Sequence, residues 1–255
     1  MDAWARKTAR LAQTGNYLDR LQEIYPVVPK ARVVPERAIQ EIEEAFKKRD
    51  RVSLLKVLLK LERFPYDESY AKYLRADPTA IARNPRTVER ICGILFEMGL
   101  EKVIAGVTAP KEANTRRGSE FKRWARRNFT FVAPRTFKDS KSGVVFLDAP
   151  DTALRDFANA VLGAGLAKRP DLVAKTGKKF VIGEAKFLSD EGGNQSAAFR
   201  DAMAVAAHPT GTAVKIAVLD GIVWIEGSSF YRRIEASSVH IFSALLLRDF
   251  LNAGR

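Results

Sequence analysis

Apolar and polar residues follow a helical period in the first part of this chain, and the pattern changes character in the second. Up to about residue 110 the apolar positions recur at helical spacing. "PERAIQEIEEAFKKRD" opens with Pro35 at a helix start and puts Ile39, Ile42 and Phe46 on one side. "SLLKVLLKLERF" follows as a helix and stops before Pro65. Beyond the connector "DPTAIARNP", the segment "NPRTVERICGILFEMGL" offers Asn84 as cap, Pro85 at the first helical position and Gly99 as terminator. Ile91, Leu95 and Met98 make its apolar stripe, and "LEKVIAGV" adds one more short helix. The start, "MDAWARKTARLAQTGNYLDR", is amphipathic and basic with no hydrophobic signal core, and is expected to be a helix as well.

From there on, short apolar, strand-favouring runs interleave with helical ones. "GSEFKRWARRNF" predicts a helix, "GVVFLD" a strand, and "DTALRDFANAVLGAG" a helix ending at glycine. In "RPDLVAKTGKKFVIGEAKFLSDEGGNQ", the "KTGKK" turn joins two strands. "NQSAAFRDAMAVAAH" is an Ala-rich helix, and "AVKIAVLDGIVWIEG" predicts two strands with Asp220-Gly221 as their tight turn. "SSVHIFSALLLRDFL" predicts an apolar C-terminal helix. The expected fold is α/β: a mixed central β-sheet flanked by helices over 111–255, preceded by a helical N-terminal region over 1–110.

Composition narrows the function. The 255 residues, 46% of them hydrophobic, are enough for one large domain or two small ones. The sequence has no apolar run of membrane-spanning length, so the cytoplasm is the expected location and no membrane partner is expected. A single cysteine, Cys92, excludes an intrachain disulfide and a cysteine zinc cage, and its apolar helical setting predicts a packed thiol. The only histidines, His208 and His240, have no motif around them, which argues against a His-metal finger nuclease or a Ser-His triad hydrolase. Trp4, Trp124 and Trp224 are expected as core or rim anchors. The net charge of +13 points to a polyanion partner. It is concentrated: Lys111 to Lys141 holds ten Lys/Arg against three acids. Arg116, Arg117, Lys122, Arg123, Arg126 and Arg127 lead this stripe and are candidate phosphate contacts.

The hairpin raises a chemical question. Alternation puts Glu184 and Lys186 on one face of its second strand, with Asp171 entering the first. A buried carboxylate and ammonium must pair or bind something. One reading is a Glu–Lys pair on a solvated strand face. The other is a metal site. Two carboxylates on adjacent strands suit Mg²⁺, which takes one or two of them and keeps other positions for water and phosphate. A lysine on the same face can steady an attacking water or a phosphate oxygen, so the set suits phosphodiester hydrolysis.

These residues resemble the PD-(D/E)XK nuclease motif. Pro170-Asp171 matches "PD", Glu184-Ala185-Lys186 matches "EXK", and 12 residues separate the two acids. The wider stretch is similar to type II restriction endonucleases of the EcoRI-like branch. It shares with them the segment "SDEGGNQSAAFRDAM", a strand ending "EGSSF", and the helix "APKEANTRRGSEFKRW" before the core. The resemblance implies a restriction-endonuclease-like core with Asp171, Glu184 and the Ala185 carbonyl as metal ligands and Lys186 at the nucleophilic water. It implies Glu120 as a supporting carboxylate, the alternative being an acid favoured at a helix N-terminus. It implies Asn194 and Gln195 at the scissile phosphate or the DNA, the alternative being N-capping by Asn194. The function so implied is Mg²⁺-dependent, sequence-specific cleavage of double-stranded DNA, and cutting a palindrome implies a homodimer. The rivals are a repair nuclease or junction resolvase on the same core, and a non-catalytic DNA-binding regulator using the helix from Pro85, whose wide apolar side favours core packing instead.

Overall fold

In the computed structural model, residues 1–26, 31–110 and 113–253 are described, without the side chains of 113–116. The helices in chain order are α1 (Ala3–Thr14), α2 (Tyr17–Leu21), α3 (Glu36–Lys47), α4 (Arg51–Lys60), α5 (Ala71–Ala76), α6 (Ala80–Arg83), α7 (Pro85–Met98) and α8 (Leu100–Thr108). The second half runs α9 (Ala113–Asn128), β1 (Thr130–Val132), α10 (Pro134–Asp139), β2 (Val144–Leu147), α11 (Asp151–Leu162), β3 (Leu172–Thr176) and β4 (Lys179–Leu188). It closes with α12 (Gly193–Ala206), β5 (Val214–Gly221), α13 (Ser229–Glu235), β6 (His240–Phe242) and α14 (Leu247–Ala253). The chain divides into two compact units, Met1–Val27 with Ala113–Arg255, and Val28–Glu112.

The first unit is built on one mixed sheet of six strands, ordered β1-β2-β3-β4-β5-β6. β1 and β2 are parallel, β2–β3–β4 antiparallel, and β4–β5–β6 parallel. The alternation of β4 sorts its side chains. Phe180 and Ile182 face a cluster with Phe137, Leu147, Leu154 and Leu162, while Val181 and Ala185 face one with Phe199, Phe230 and Phe242. Gly183 sits between, where a Cβ would come within 2.7 Å of Ile216 and 3.1 Å of Leu172. The missing side chain therefore lets β3 and β5 close tightly on β4 beside Glu184. α11 ends, as its glycine predicts, with Gly163 in the left-handed conformation at φ 61.

Within the helical stretch expected over 1–110, α1 and α2 belong to this sheet unit. The reason is visible in their side chains: Ala5 and Ala9 join the sheet cluster, and Trp4 packs on Phe242 and Phe250. Tyr17 and Tyr25 reach further, donating to Asp220 at 3.1 and 3.0 Å.

Asp220 accounts for one departure from expectation. Asp220-Gly221 is not a hairpin turn; β5 runs through it and a short 3-10 turn, Ile222–Trp224, follows. The Asp220 carboxylate is fully buried and also accepts the Ser243 hydroxyl and the Ala244 N–H. Burial holds its pKa raised against these donors. A turn at 220 would expose this carboxylate and strand four donors, so tertiary bonding overrides the local signal. The same hydroxyl explains the C-terminus. The expected single helix is instead β6, a 3-10 turn and α14, with Ser243 accepting from Leu245 N between them. "EGSSF" ends no strand: Ser228 caps α13, accepting from Tyr231 N at 3.1 Å.

The second unit, α3 to α8, has its own core around Ile42, Leu54, Leu55, Leu58, Ile91, Leu95 and Val103. The helix from Pro85 spends its apolar side there, which is the core-packing alternative. Cys92 is buried in the same core, which pushes its thiol pKa up to about 11. Glu68 is held by both Arg90 nitrogens at 3.0 Å.

Candidate active site

Asp171 lies one residue before β3, and its N–H donates to Gly183 O at 2.9 Å, so the β3–β4 ladder brings it opposite Glu184. Its Oδ2 accepts the Ala185 N–H at 3.0 Å and Lys186 Nζ at 3.3 Å. Lys186 Nζ is also 2.5 Å from Glu184 Oε1. The strand alternation does this work: Glu184 and Lys186 leave β4 on the same side, and Asp171 meets them from the neighbouring strand.

Glu184 is the most constrained of the three. Its side chain is 11% exposed, and Oε2 is buried with no hydrogen-bond partner among the described residues. Burial first, then the nearby Asp171 charge, pushes its pKa up to about 7, with Lys186 acting in the opposite direction. Burial alone would lower the pKa of Lys186, but Asp171 and Glu184 outweigh it and hold the ammonium charged. A surface Glu–Lys pair would be screened and free to rotate. This one is enclosed, which disfavours the solvated-face alternative.

The other candidates are distributed differently. Glu120 is buried in the middle of α9, not at its N-terminus, and pairs with Arg117 at 3.3 Å. Arg117 lies over the Phe187 ring at 4.5 Å and donates to Tyr25 O, on the side of β4 opposite Glu184 and Lys186. Among the described residues no three His, Cys, Asp or Glu side chains form a metal-holding group. The structure thus brings Asp171, Glu184, Ala185 and Lys186 together and does not bring Glu120 to them. Within the basic stripe, Arg126 pairs with Asp148 at 2.8 Å and covers Phe131. Arg123 and Arg127 are exposed, and the Arg116 side chain lies outside the described residues. Lys122 turns toward the site: its Nζ is 2.7 and 2.8 Å from the Asp151 oxygens and 3.7 Å from Asp171 Oδ1. Asn194 is exposed and Gln195 half-buried in the first turn of α12. The cap position of α12 is Gly192, so Asn194 does not cap it. Asp151 has no motif in the sequence; its only signal is an acid at a predicted helix start.

A mixed sheet flanked by helices, carrying two carboxylates and a charged lysine where two antiparallel strands meet, defines a restriction-endonuclease-like α/β protein. The chain belongs to the Tsp45I type II restriction enzyme family, whose family model matches residues 2–253. No curated protein and no solved structure matches it. It is therefore a type II restriction endonuclease, a site-specific deoxyribonuclease that hydrolyses double-stranded DNA. That membership decides against the repair-nuclease, resolvase and regulator rivals. Among the described residues, no helix is long and apolar enough to cross a membrane.

Proposed function

We propose that this enzyme cuts DNA in the manner of the PD-(D/E)XK nucleases, at a site made by Asp171, Glu184 and Lys186, with Mg²⁺ as the cation, and that it is similar to the EcoRI-like branch. The observation that carries the reading is Glu184 Oε2, buried and without a hydrogen-bond partner among the described residues. An unsatisfied buried oxygen costs about 1–3 kcal/mol, more when charged, and a cation bound there removes that cost. The donor set fits: two carboxylates offer hard oxygens, and Mg²⁺ needs no more than one or two from protein. When bound, the cation polarises the scissile phosphate, lowers the pKa of a water and neutralises the leaving oxygen.

The chain's own residues do the remaining work. Asp171 and Glu184 hold the cation, with the Ala185 carbonyl as a third oxygen. Lys186 stays protonated, so it cannot abstract a proton. It serves as a hydrogen-bond donor to the attacking water or to a phosphate oxygen as charge develops. Exposed Arg123 and Arg127 contact backbone phosphates, with Asn194 and Gln195 on the DNA side of α12. Cutting both strands of a palindrome calls for a homodimer with two such sites, working in the cytoplasm. The test is plasmid digestion with Mg²⁺ and with EDTA by wild type, Asp171→Ala and Glu184→Ala. Both variants should lose cleavage while binding DNA in Ca²⁺. Near wild-type cleavage by either one would overturn the site.

A further inference from the structure

Asp171 lies just outside a strand, whereas Glu184 and Lys186 lie within β4. It precedes β3, and only its N–H joins the ladder. Oδ2 is set by β4, through Ala185 N–H and Lys186. Oδ1 faces a different cation, Lys122 Nζ at 3.7 Å, too long for a hydrogen bond but close for a charge. The Lys122 stem is flexible, so something must hold its end there. Asp151 does, with both oxygens within 2.8 Å of Nζ. Asp151 is the first residue of α11, where the helix dipole favours a carboxylate. The three side chains border a cavity of ≈ 50 Å³ between α9 and the sheet.

We infer that Lys122 and Asp151 are positioning residues for the reaction: Asp151 aims Lys122, and Lys122 braces Asp171 on the side that β4 does not reach. This deepens the proposed reading of the site and rests on it. It also removes Lys122 from the phosphate-contacting stripe, because an ammonium gripped by two carboxylate oxygens is already neutralised. Exposed Arg123 and Arg127, on the same helix, have no such grip among the described residues.

The experiment measures single-turnover cleavage at saturating enzyme, and metal-free DNA binding across a salt series, for Lys122→Ala, Lys122→Arg, Asp151→Asn and the double variant Lys122→Ala/Asp151→Asn. Lys122→Ala is expected to slow cleavage by about tenfold to a hundredfold, the range for a small misplacement of a reacting group. Its DNA affinity and salt slope should stay at wild-type values, and Lys122→Arg should recover part of the rate. Asp151→Asn should slow cleavage less, and the double variant should be no slower than Lys122→Ala, since one residue acts through the other. A salt slope reduced by about one with an unchanged rate would make Lys122 a phosphate contact and overturn the inference. Multiplying rather than overlapping effects would overturn it too. Should Lys122→Ala fail to fold, a wild-type rate in folded Asp151→Asn would still do so. Asp171→Ala runs alongside: if it cleaves, the underlying site falls; if it is inactive while Lys122→Ala and Asp151→Asn are both normal, only the present inference falls.

Discussion

Replacing Glu184 with glutamine is expected to stabilise the fold at pH 8 while abolishing cleavage. The folded-state pKa of Glu184 is raised from 4.5 to about 7, by burial first and by Asp171 second. Below pH 4.5 the residue is protonated in both folded and unfolded chains, and its ionisation has no effect on stability. Between there and about 7 the unfolded chain ionises first, so each pH unit removes about 1.4 kcal/mol of stability. Above 7 the loss is complete, with a ceiling of about 3 kcal/mol. Glutamine keeps the shape without the charge, yet it also takes a partner from Lys186, so the net gain at pH 8 is about 1–2 kcal/mol. At pH 5 wild type is itself mostly protonated and the gain shrinks toward zero. Urea unfolding in EDTA at the two pH values, with plasmid cleavage alongside, measures both halves. A variant that is less stable than wild type at pH 8, or equally shifted at pH 5 and pH 8, refutes the argument that this carboxylate is held at a cost.

Three further outcomes follow from named contacts. Lys186→Ala should cut the single-turnover rate by about two orders of magnitude or more, and Lys186→Arg should not fully rescue it, because a planar guanidinium does not replace a compact ammonium; an unchanged rate would return Lys186 to a merely structural pair with Glu184. Arg123→Ala with Arg127→Ala should weaken binding to all DNA sequences and lower the salt slope by about one unit per lost phosphate contact, whereas loss confined to one sequence would mean base reading instead. Asp220→Ala should lower stability by about 3 kcal/mol or more, since it leaves the Tyr17, Tyr25 and Ser243 hydroxyls buried without their acceptor; a change in thermal unfolding worth under about 1 kcal/mol would show that water replaces the carboxylate.

The hairpin was legible because its signals agree at every level: strand-favouring Val173, Val181, Ile182 and Phe187, a turn with Gly177, and Glu184 and Lys186 two apart on one strand. Asp220-Gly221 misled because a local turn preference competes with a buried bonding network contributed by Tyr17, Tyr25 and Ser243, far away in sequence. The C-terminal run misled for a related reason: a short apolar stretch carries no period that separates strand from helix. Glu120 was placed on the right helix, but which side of a helix meets which side of a strand is a matter of packing. Asp151 was invisible as a site residue, since its role depends on meeting Lys122, 29 positions earlier.

The Tyr25–Arg117 contact has a consequence for how this protein can change over generations. The chain leaves the sheet unit after Val27 and returns at Ala113, and Arg117 Nη1 holds Tyr25 O at 2.8 Å, just inside both crossings. Tyr25 is itself pinned to Asp220 on β5. Departure and return are thus fastened to each other and to the sheet by atoms of the sheet unit alone. What lies between has a core of its own, and lengthening it adds a loop-closure entropy that grows slowly, about 0.6 kcal/mol per doubling. The anchoring of both crossings within the sheet unit predicts that the length of 28–112 can vary between relatives while the strands and the carboxylates they carry stay in place. Replacing that stretch with a short Gly/Ser linker should leave a chain with the far-ultraviolet signature and cooperative melting of a folded α/β unit; a molten chain would show that the stretch is structural rather than exchangeable.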